Sequence, residues 1–379
     1  MKKAYLDNAS TTAMHPDVIA HMTQIMSDVY GNPSSTHSFG RTAKVVLETA
    51  RKTIALCINA EAREIIFTSG GTESNNFILR GAVKNLGIRR IISSRVEHHS
   101  VLNTLPALAV EFGTEIQYVN LLSDGSVNIN HLKVLLEGDT PTLVSLIHVN
   151  NETGIVLDLE RIGTICKQHK ALFHTDTVQS VGKTELDLQT LPVDFIVASA
   201  HKFHGPKGIG FAYIRKTIGL KPMIYGGEQE KGARAGTEAI HQIAGMATAL
   251  ELSYKNLITE REHITSVKNY LHQQLTLHFP GFKINGTNDD NSSNLFYNIT
   301  NILLPLPESK TAMILFHLDM QGIAVSRGSA CQSGSVKPSH VLKEILSDDD
   351  VKKPSLRISF SHYNTFDDVD VFISALKTV

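Results

Sequence analysis

The sequence predicts an α/β protein: a mostly parallel sheet covered by helices on both faces, joined to a smaller α+β layer. Three observations predict it. Between residues 64 and 214, short apolar β-branched runs alternate with stretches of helical periodicity, the order that builds βαβ units. Polar, glycine-bearing segments recur just past the ends of those runs, where open α/β sheets keep their ligands. After about residue 255 the pattern shifts to a long charged helical stretch and then short strands mixed with helices. At 379 residues the chain is also too long for one compact core.

Each element has its own justification. Tyr5 to Thr12 is a short extended piece ending in polar residues. Val18, Met22, Ile25 and Val29 recur at helical spacing, with Pro16 at the helix start. Residues 31–38 (GNPSSTHS) form a turn-rich loop, and Val46, Ala50 and Ile54 mark a second amphipathic helix with Cys57 in its apolar tail. Strand 64–68 leads to a helix near Thr72, and strand 90–94 to a helix near Ser100. Strand 115–119 precedes a helix at 129–137, and strand 143–149 one at 159–169. Strands at 171–175, 194–198 and 211–214 complete the sheet. Residues 251–279 read as one long charged helix, followed by strands at 295–303 and 356–360.

Composition excludes several classes. Apolar content of 42% and charge of 19% describe a globular chain, and a net charge of -1 offers no electrostatic attraction for nucleic acid or an anionic membrane. No apolar run has the length of a membrane span. The lysines of MKKAYLDNAS are not followed by an apolar stretch, so no secretory signal is expected and a cytoplasmic location is. Three scattered cysteines, Cys57, Cys166 and Cys331, make neither a disulfide framework nor a metal knuckle, and no metal site is expected.

The chemistry lies at the strand ends. Ser69-Gly70-Gly71-Thr72-Glu73-Ser74 joins a strand to a helix start, with glycines that let the backbone approach a ligand and free N–H groups that suit a phosphate. Taken alone, it would also serve as a capped helix start. Glu97-His98-His99-Ser100 offers an imidazole to stack on a planar ligand or to move protons. Further exits carry the polar run His148 to Gly154, and then Asp176 and Gln179; a carboxylate ending an apolar strand needs a cationic partner. In DFIVASAHKFHGPKGIG a buried strand delivers Lys202 beside His201 and His204, with a glycine-rich turn behind it. A lysine so presented suits an amine that bonds covalently to a carbonyl. Together these supply a lysine for a Schiff base, an aspartate for a pyridinium nitrogen, a stacking imidazole and a helix start for a phosphate. That is the set required by pyridoxal 5'-phosphate.

On these motifs the chain resembles the cysteine desulfurases of the NifS/IscS type, within the fold-type I, class V aminotransferase enzymes that depend on pyridoxal 5'-phosphate. The resemblance runs the whole length, through YLDNASTT, GNPSSTHSFGR, FTSGGTESNN, HVNNETG, DTVQSVGK, SAHKFHGPKGIG, RAGTE, SRGSACQSGS and LRISFS. It implies that Lys202 is the Schiff-base lysine, and that Gly71, Thr72, Ser199 and His201 hold the phosphate with Thr237 from a partner subunit. It further implies that His98 stacks on the ring, Asp176 binds its nitrogen, and Asn151 and Gln179 contact its hydroxyl. Arg357 would hold the substrate carboxylate, with Asn32 nearby. The fold implied is a large domain of seven mixed strands, residues 15–255, and a small domain from 1–14 and 256–379 that carries the catalytic cysteine loop.

Cys331 is the distinguishing residue. Its segment, Gly328 to Ser335, is small and polar and suits a nucleophile that visits a buried cofactor. In the family this thiolate takes the sulfur of L-cysteine as a persulfide, releasing L-alanine, and passes it to an acceptor. The resemblance therefore implies a homodimer and a sulfur-acceptor or iron–sulfur scaffold protein as partner, serving iron–sulfur cluster assembly or tRNA thiolation. A selenocysteine lyase, or another class V aminotransferase, is the alternative. Two departures stand out. Arg327 replaces the usual second serine of SSGSAC and, with Lys337, puts positive charge near the thiol. Glu228 stands where a third glycine is common, which unsettles the loop carrying Thr237.

Overall fold

A computed structural model describes residues 2–287, 294–328 and 338–379. Twelve strands are defined among them: β1 (Ala4–Tyr5), β2 (Ile65–Thr68), β3 (Arg90–Ser93), β4 (Glu115–Tyr118), β5 (Thr142–Ile147), β6 (Leu172–Asp176), β7 (Phe195–Ser199), β8 (Gly210–Ile214), β9 (Lys283–Ile284), β10 (Ile299–Leu303), β11 (Ile323–Ala324) and β12 (Ser355–Ser359). Seven form one sheet in the order β2-β8-β7-β6-β5-β3-β4. Only β8 runs against its neighbours β2 and β7; the other pairs are parallel. Two reversals cancel, so β2 points the same way as β7. The carboxyl ends of β2, β3, β5, β6 and β7 therefore open on one edge of the sheet.

Both faces of the sheet are covered, which explains the unbroken apolar runs of its central strands. In β7, Ile196 and Ala198 join one core with Val18, Leu47, Ile54, Ile243 and Leu250, which come from helices Pro16–Asp28, Ser38–Cys57 and Ile240–Lys255. The alternate residues Phe195 and Val197 face the opposite core with Phe77, Leu79 and Ala82 of helix Gly71–Leu86. The period of two in the strand thus feeds two hydrophobic layers.

A third core gathers Ala4 and Leu6 with Ile264, Leu271, Ile302, Leu356, Ile358 and Phe372. Here β10 pairs antiparallel with β12 and β9. β1 pairs parallel with β11, and Asp7 bridges to Ser359. The first residues of the chain are thus built into the same layer as the last hundred.

Two expectations need correction. The stretch 251–279 is not one helix: Ile240–Lys255 ends and Leu257–His278 begins around Asn256, at φ -102° and ψ 4°. The first of these belongs to the large core through Leu250, and the second to the third core through Ile264 and Leu271, so the break changes partners. The strand expected at 295–303 starts only at Ile299, because Leu295 bridges to Ile155 instead.

Candidate active site

The open edge of the sheet holds a cavity of about 480 Å³. Ten of the predicted residues line it: Gly71, Thr72, His98, Asn151, Asp176, Gln179, Ser199, His201, Lys202 and Arg357. Nine of them arrive from five strand exits, those of β2, β3, β5, β6 and β7, and Arg357 arrives on β12 from the other layer.

At one end is the glycine turn after β2. Gly70 has φ +148°, a conformation that side chains rarely adopt, and a Cβ on Gly71 would come within 2.6 Å of the Val178 Cγ2. The turn leads into a helix of 16 residues whose first N–H groups and dipole favour an anion. A Cβ on Gly70 would lie 3.3 Å from Ser199 Oγ, and His201 and Lys207 line the same cavity. His201 is pushed down to about 4, by burial first and then by the cations Lys202, Lys207 and Lys183, and its Nδ1 lies 3.1 Å from the Thr11 hydroxyl. Glu73 would oppose an anion here, but its carboxylate accepts the Ser69 N–H at 2.8 Å and pairs with Arg234 at 3.0 Å. Burial pushes the Glu73 carboxyl up, yet Arg234 and Ser69 together hold it below the usual range.

Lys202 sits on a single 3-10 turn, Ala200–Lys202, directly after β7. Its Nζ donates to the carbonyls of Ala9 and Ser10, both at 2.7 Å. Gln179 also donates to Ala9 O, at 2.9 Å. The N-terminal segment is therefore a wall of the cavity. Asp176 ends β6, is 3% exposed, and accepts from Asn75 Nδ2 at 2.8 Å and from Val178 N at 3.0 Å. In the segment after β5, Asn150 builds the turn by accepting from Glu152 N and Thr153 N, which leaves Asn151 to face the cavity.

Arg357 is 1% exposed and held by Asn151 O at 2.9 Å, Asp7 at 2.8 Å and Ser10 Oγ at 2.5 Å. Its Nε has no partner among the described residues. A buried guanidinium with unused donors beside a cavity is a ready site for a carboxylate.

His98 caps helix His99–Leu102, with Nδ1 accepting from Ser100 N at 3.2 Å and lying 2.8 Å from Ser100 Oγ. Burial lowers its basicity, Asp176 opposes that, and Lys202 adds to it. Its neighbour Glu97 points away, into a second cavity of about 270 Å³ behind Ile147. Burial pushes the Glu97 carboxyl up to about 8; Oε1 accepts from Ser94 Oγ at 2.6 Å, and Oε2 has no partner among the described residues.

Two predicted residues do not join the cavity. Asn32 closes a turn on its own backbone, Oδ1 accepting from Ser34 N at 2.9 Å, and it lines a separate groove with Thr237. Within one chain neither Asn32 nor Thr237 reaches the ligands named above. Cys331 and Lys337 lie outside the described residues. The ends of their segment meet at Glu152, which is 1% exposed: Ser339 Oγ donates to its Oε2, and a Cβ on Gly328 would lie 3.2 Å from that oxygen. Arg327 donates to Thr311 O at 3.1 Å.

Sequence reasoning missed Asp7, Ser10, Asn75, Ser100 as a ligand of His98, Glu152 and the Glu73–Arg234 pair. Asn75 carried a signal: it is a polar residue on the apolar face that Ile78, Leu79 and Ala82 continue.

The comparisons agree with this architecture. The model of the family described as aminotransferase class-V matches residues 4–372. A cysteine desulfurase IscS of Dictyoglomus turgidum is 39% identical over 380 residues, covering 100% of this chain and 94% of the relative. A cysteine desulfurase of Nostoc sp. is 38% identical over 380 residues, covering 100% and 93%. Among solved structures, the NifS-like protein of Rickettsia africae superposes with TM-score 0.87 at 34% identity, covering 100% of this chain and 99% of that one. SspA in complex with cysteine superposes with TM-score 0.81 at 30% identity, covering 96% and 100%.

Proposed function

The chain belongs to the aminotransferase class-V family of pyridoxal 5'-phosphate enzymes, and from that premise we propose that it is a cysteine desulfurase that captures the sulfur of L-cysteine on Cys331. The single observation that carries the reading is the convergence of Lys202, Asp176 and Arg357 on one cavity.

The residues present fit the cofactor. The glycine turn leaves space where a Cβ on Gly71 would meet Val178, and the helix behind it supplies N–H groups for a phosphate. Gly71, Thr72, Ser199 and His201 would hold that phosphate, Asp176 the ring nitrogen, Asn151 and Gln179 the ring hydroxyl, and Lys202 the carbonyl carbon. When bound, pyridoxal 5'-phosphate acts as an electron sink for the amino acid attached to it. Asp176, held by Asn75 and Val178 N, would face the ring nitrogen. Arg357 orients the substrate through its carboxylate, and its place on β12 ties that binding to the second layer. His98, which lines the same cavity, would cover the ring.

At Cys331 the thiolate takes the thiol sulfur of cysteine. One carbon–sulfur bond breaks and one sulfur–sulfur bond forms, the carbon fragment gains the proton and leaves as alanine, and the enzyme keeps a persulfide. A sulfur acceptor, serving iron–sulfur cluster assembly or tRNA thiolation, would relieve it. The groove containing Thr237 and Asn32 supports a homodimer, in which a second copy brings Thr237 to the phosphate.

The test is a single-turnover assay without reductant. Wild-type protein with pyridoxal phosphate should form one alanine per cysteine and one persulfide per chain. Cys331→Ser should form no persulfide and lose about a thousandfold or more in turnover, the range seen when a nucleophile is removed. Alanine formation by Cys331→Ser at the wild-type rate would reject the reading.

A further inference from the structure

We propose that Asn75 and Ser100 are positioning residues that join Asp176 to His98 in one hydrogen-bonded chain and fix the His98 imidazole with its proton on Nε2. The proposal deepens the functional reading: only its consequence for catalysis rests on Asp176 and His98 contacting the cofactor.

The chain is read from one end. Asp176 Oδ2 lies 2.8 Å from Asn75 Nδ2. A carboxylate tolerates the nitrogen end of an amide and repels the oxygen end, so Asp176 fixes which way the Asn75 amide points. The second proton of the same nitrogen goes to Ser100 Oγ at 2.7 Å. Ser100 has a single hydroxyl proton, and His98 Nδ1 stands 2.8 Å from its oxygen. The backbone N–H of Ser100 also reaches Nδ1, at 3.2 Å, as the cap of the following helix. Two donors converging on one ring nitrogen leave it as an acceptor, so the proton of the neutral ring is on Nε2.

Asn75 is 0% exposed, stands in the second turn of a helix where asparagine is a poor former, and has no partner for its Oδ1 among the described residues. Leucine would fill the site without a buried unpaired oxygen. The amide is retained for what its nitrogen does. Its consequence is that His98 offers the cavity a donor rather than a base. Moving the proton to Nδ1 would break the bond from the Ser100 N–H and reverse the one to its hydroxyl.

The experiment reads the ring directly, in full-length protein stripped of cofactor and labelled with ¹⁵N-histidine, the His98 signals being assigned by their loss in His98→Gln. Long-range ¹H–¹⁵N correlations should show an acceptor Nδ1 and a protonated Nε2. Ser100→Ala should give a mixture of tautomers, and Ser100→Thr, which keeps the hydroxyl, should restore the wild-type pattern. A proton on Nδ1 in wild type, or an unchanged pattern in Ser100→Ala, would overturn the proposal. Asn75→Leu should weaken pyridoxal phosphate binding by about tenfold through loss of one hydrogen bond to a charged group, and unchanged binding would remove Asn75 from the chain. Failure of the wild type to bind pyridoxal phosphate would reject the functional reading while leaving the tautomer result intact.

Discussion

Glu97 and His98 are adjacent in sequence and opposite in fate. The sequence groups them in one motif at the exit of β3, and nothing in their spacing separates the residue that faces the cofactor cavity from the one that turns its back on it. The separation comes from Ile147, which stands between the two cavities. Glu97 pays for burial by keeping its proton, with its carboxyl raised from 4.5 to about 8. In the unfolded chain it ionises near 4.5, so between that value and about 8 the folded state binds the extra proton. Stability from this group is complete below pH 4.5 and is lost as pH rises to about 8, at about 1.4 kcal/mol per pH unit. Glu97→Gln removes the titration. Its urea midpoint should therefore gain on the wild type as pH rises from 5 to 8, and parallel curves for the two proteins would show that Glu97 is ionised in the fold. The same scale shows what was legible. Asp176 ends a strand and Lys202 follows one, places that the apolar pattern marks, and Arg357 is implied by the family resemblance; the roles of Asn75 and Ser100 depend on facing partners that their own stretch does not name.

At the level of elements, the loop after β8 shows how a fixed connection arises without regular structure. Glu228 was expected to unsettle it. Two residues on, Glu230 anchors it: its carboxylate takes Arg51 at 2.7 and 2.8 Å and Phe67 N at 2.9 Å, although its own φ is +49°. Arg51 comes from helix Ser38–Cys57 and also donates to Ile65 O at 2.9 Å, so helix, loop and the edge strand β2 share one buried ion pair. Glu230→Gln leaves the buried guanidinium with only the more exposed Glu48, 3.2 Å from its Nε, as counter-charge and should destabilise the protein by about 3 kcal/mol, read as a lower urea midpoint. The loop also carries Arg234, the partner of Glu73 beside the glycine turn. The variant should therefore bind pyridoxal phosphate more weakly even where it is fully folded, and a folded variant with wild-type affinity would uncouple the loop from the site. The helix break at Asn256 was hidden for a related reason: both flanking stretches have helical composition, and only the change of core from Leu250 to Ile264 tells them apart.

On the scale of the whole molecule, the groove shared by Asn32 and Thr237 is flanked by Tyr30 at 74% exposure and Met26 at 53%, apolar surface that a second copy would cover. If Thr237 serves the partner's phosphate, Lys202→Ala and Thr237→Asp damage different halves of one site. Co-expressed with separate tags and purified as the mixed dimer, the two inactive chains should regain turnover, because one cavity receives neither lesion. Mixed dimers as inactive as their parents would place Thr237 in the cavity of its own chain. The alternation of strands and helices made the seven-stranded sheet legible, whereas the meeting of the chain ends followed only from the family resemblance, since β1 and β11 are two residues each and have no pattern of their own.

That meeting also sets an order of events during synthesis. Ala9 and Ser10 are made before Lys202, yet the guanidinium that clasps Asp7 and Ser10 belongs to a strand made after both. A nascent chain can fold its sheet and still lack a closed reaction chamber. Synthesis of β12 is what supplies Arg357, so a chain stopped before that strand lacks the guanidinium proposed to hold the carboxylate of cysteine.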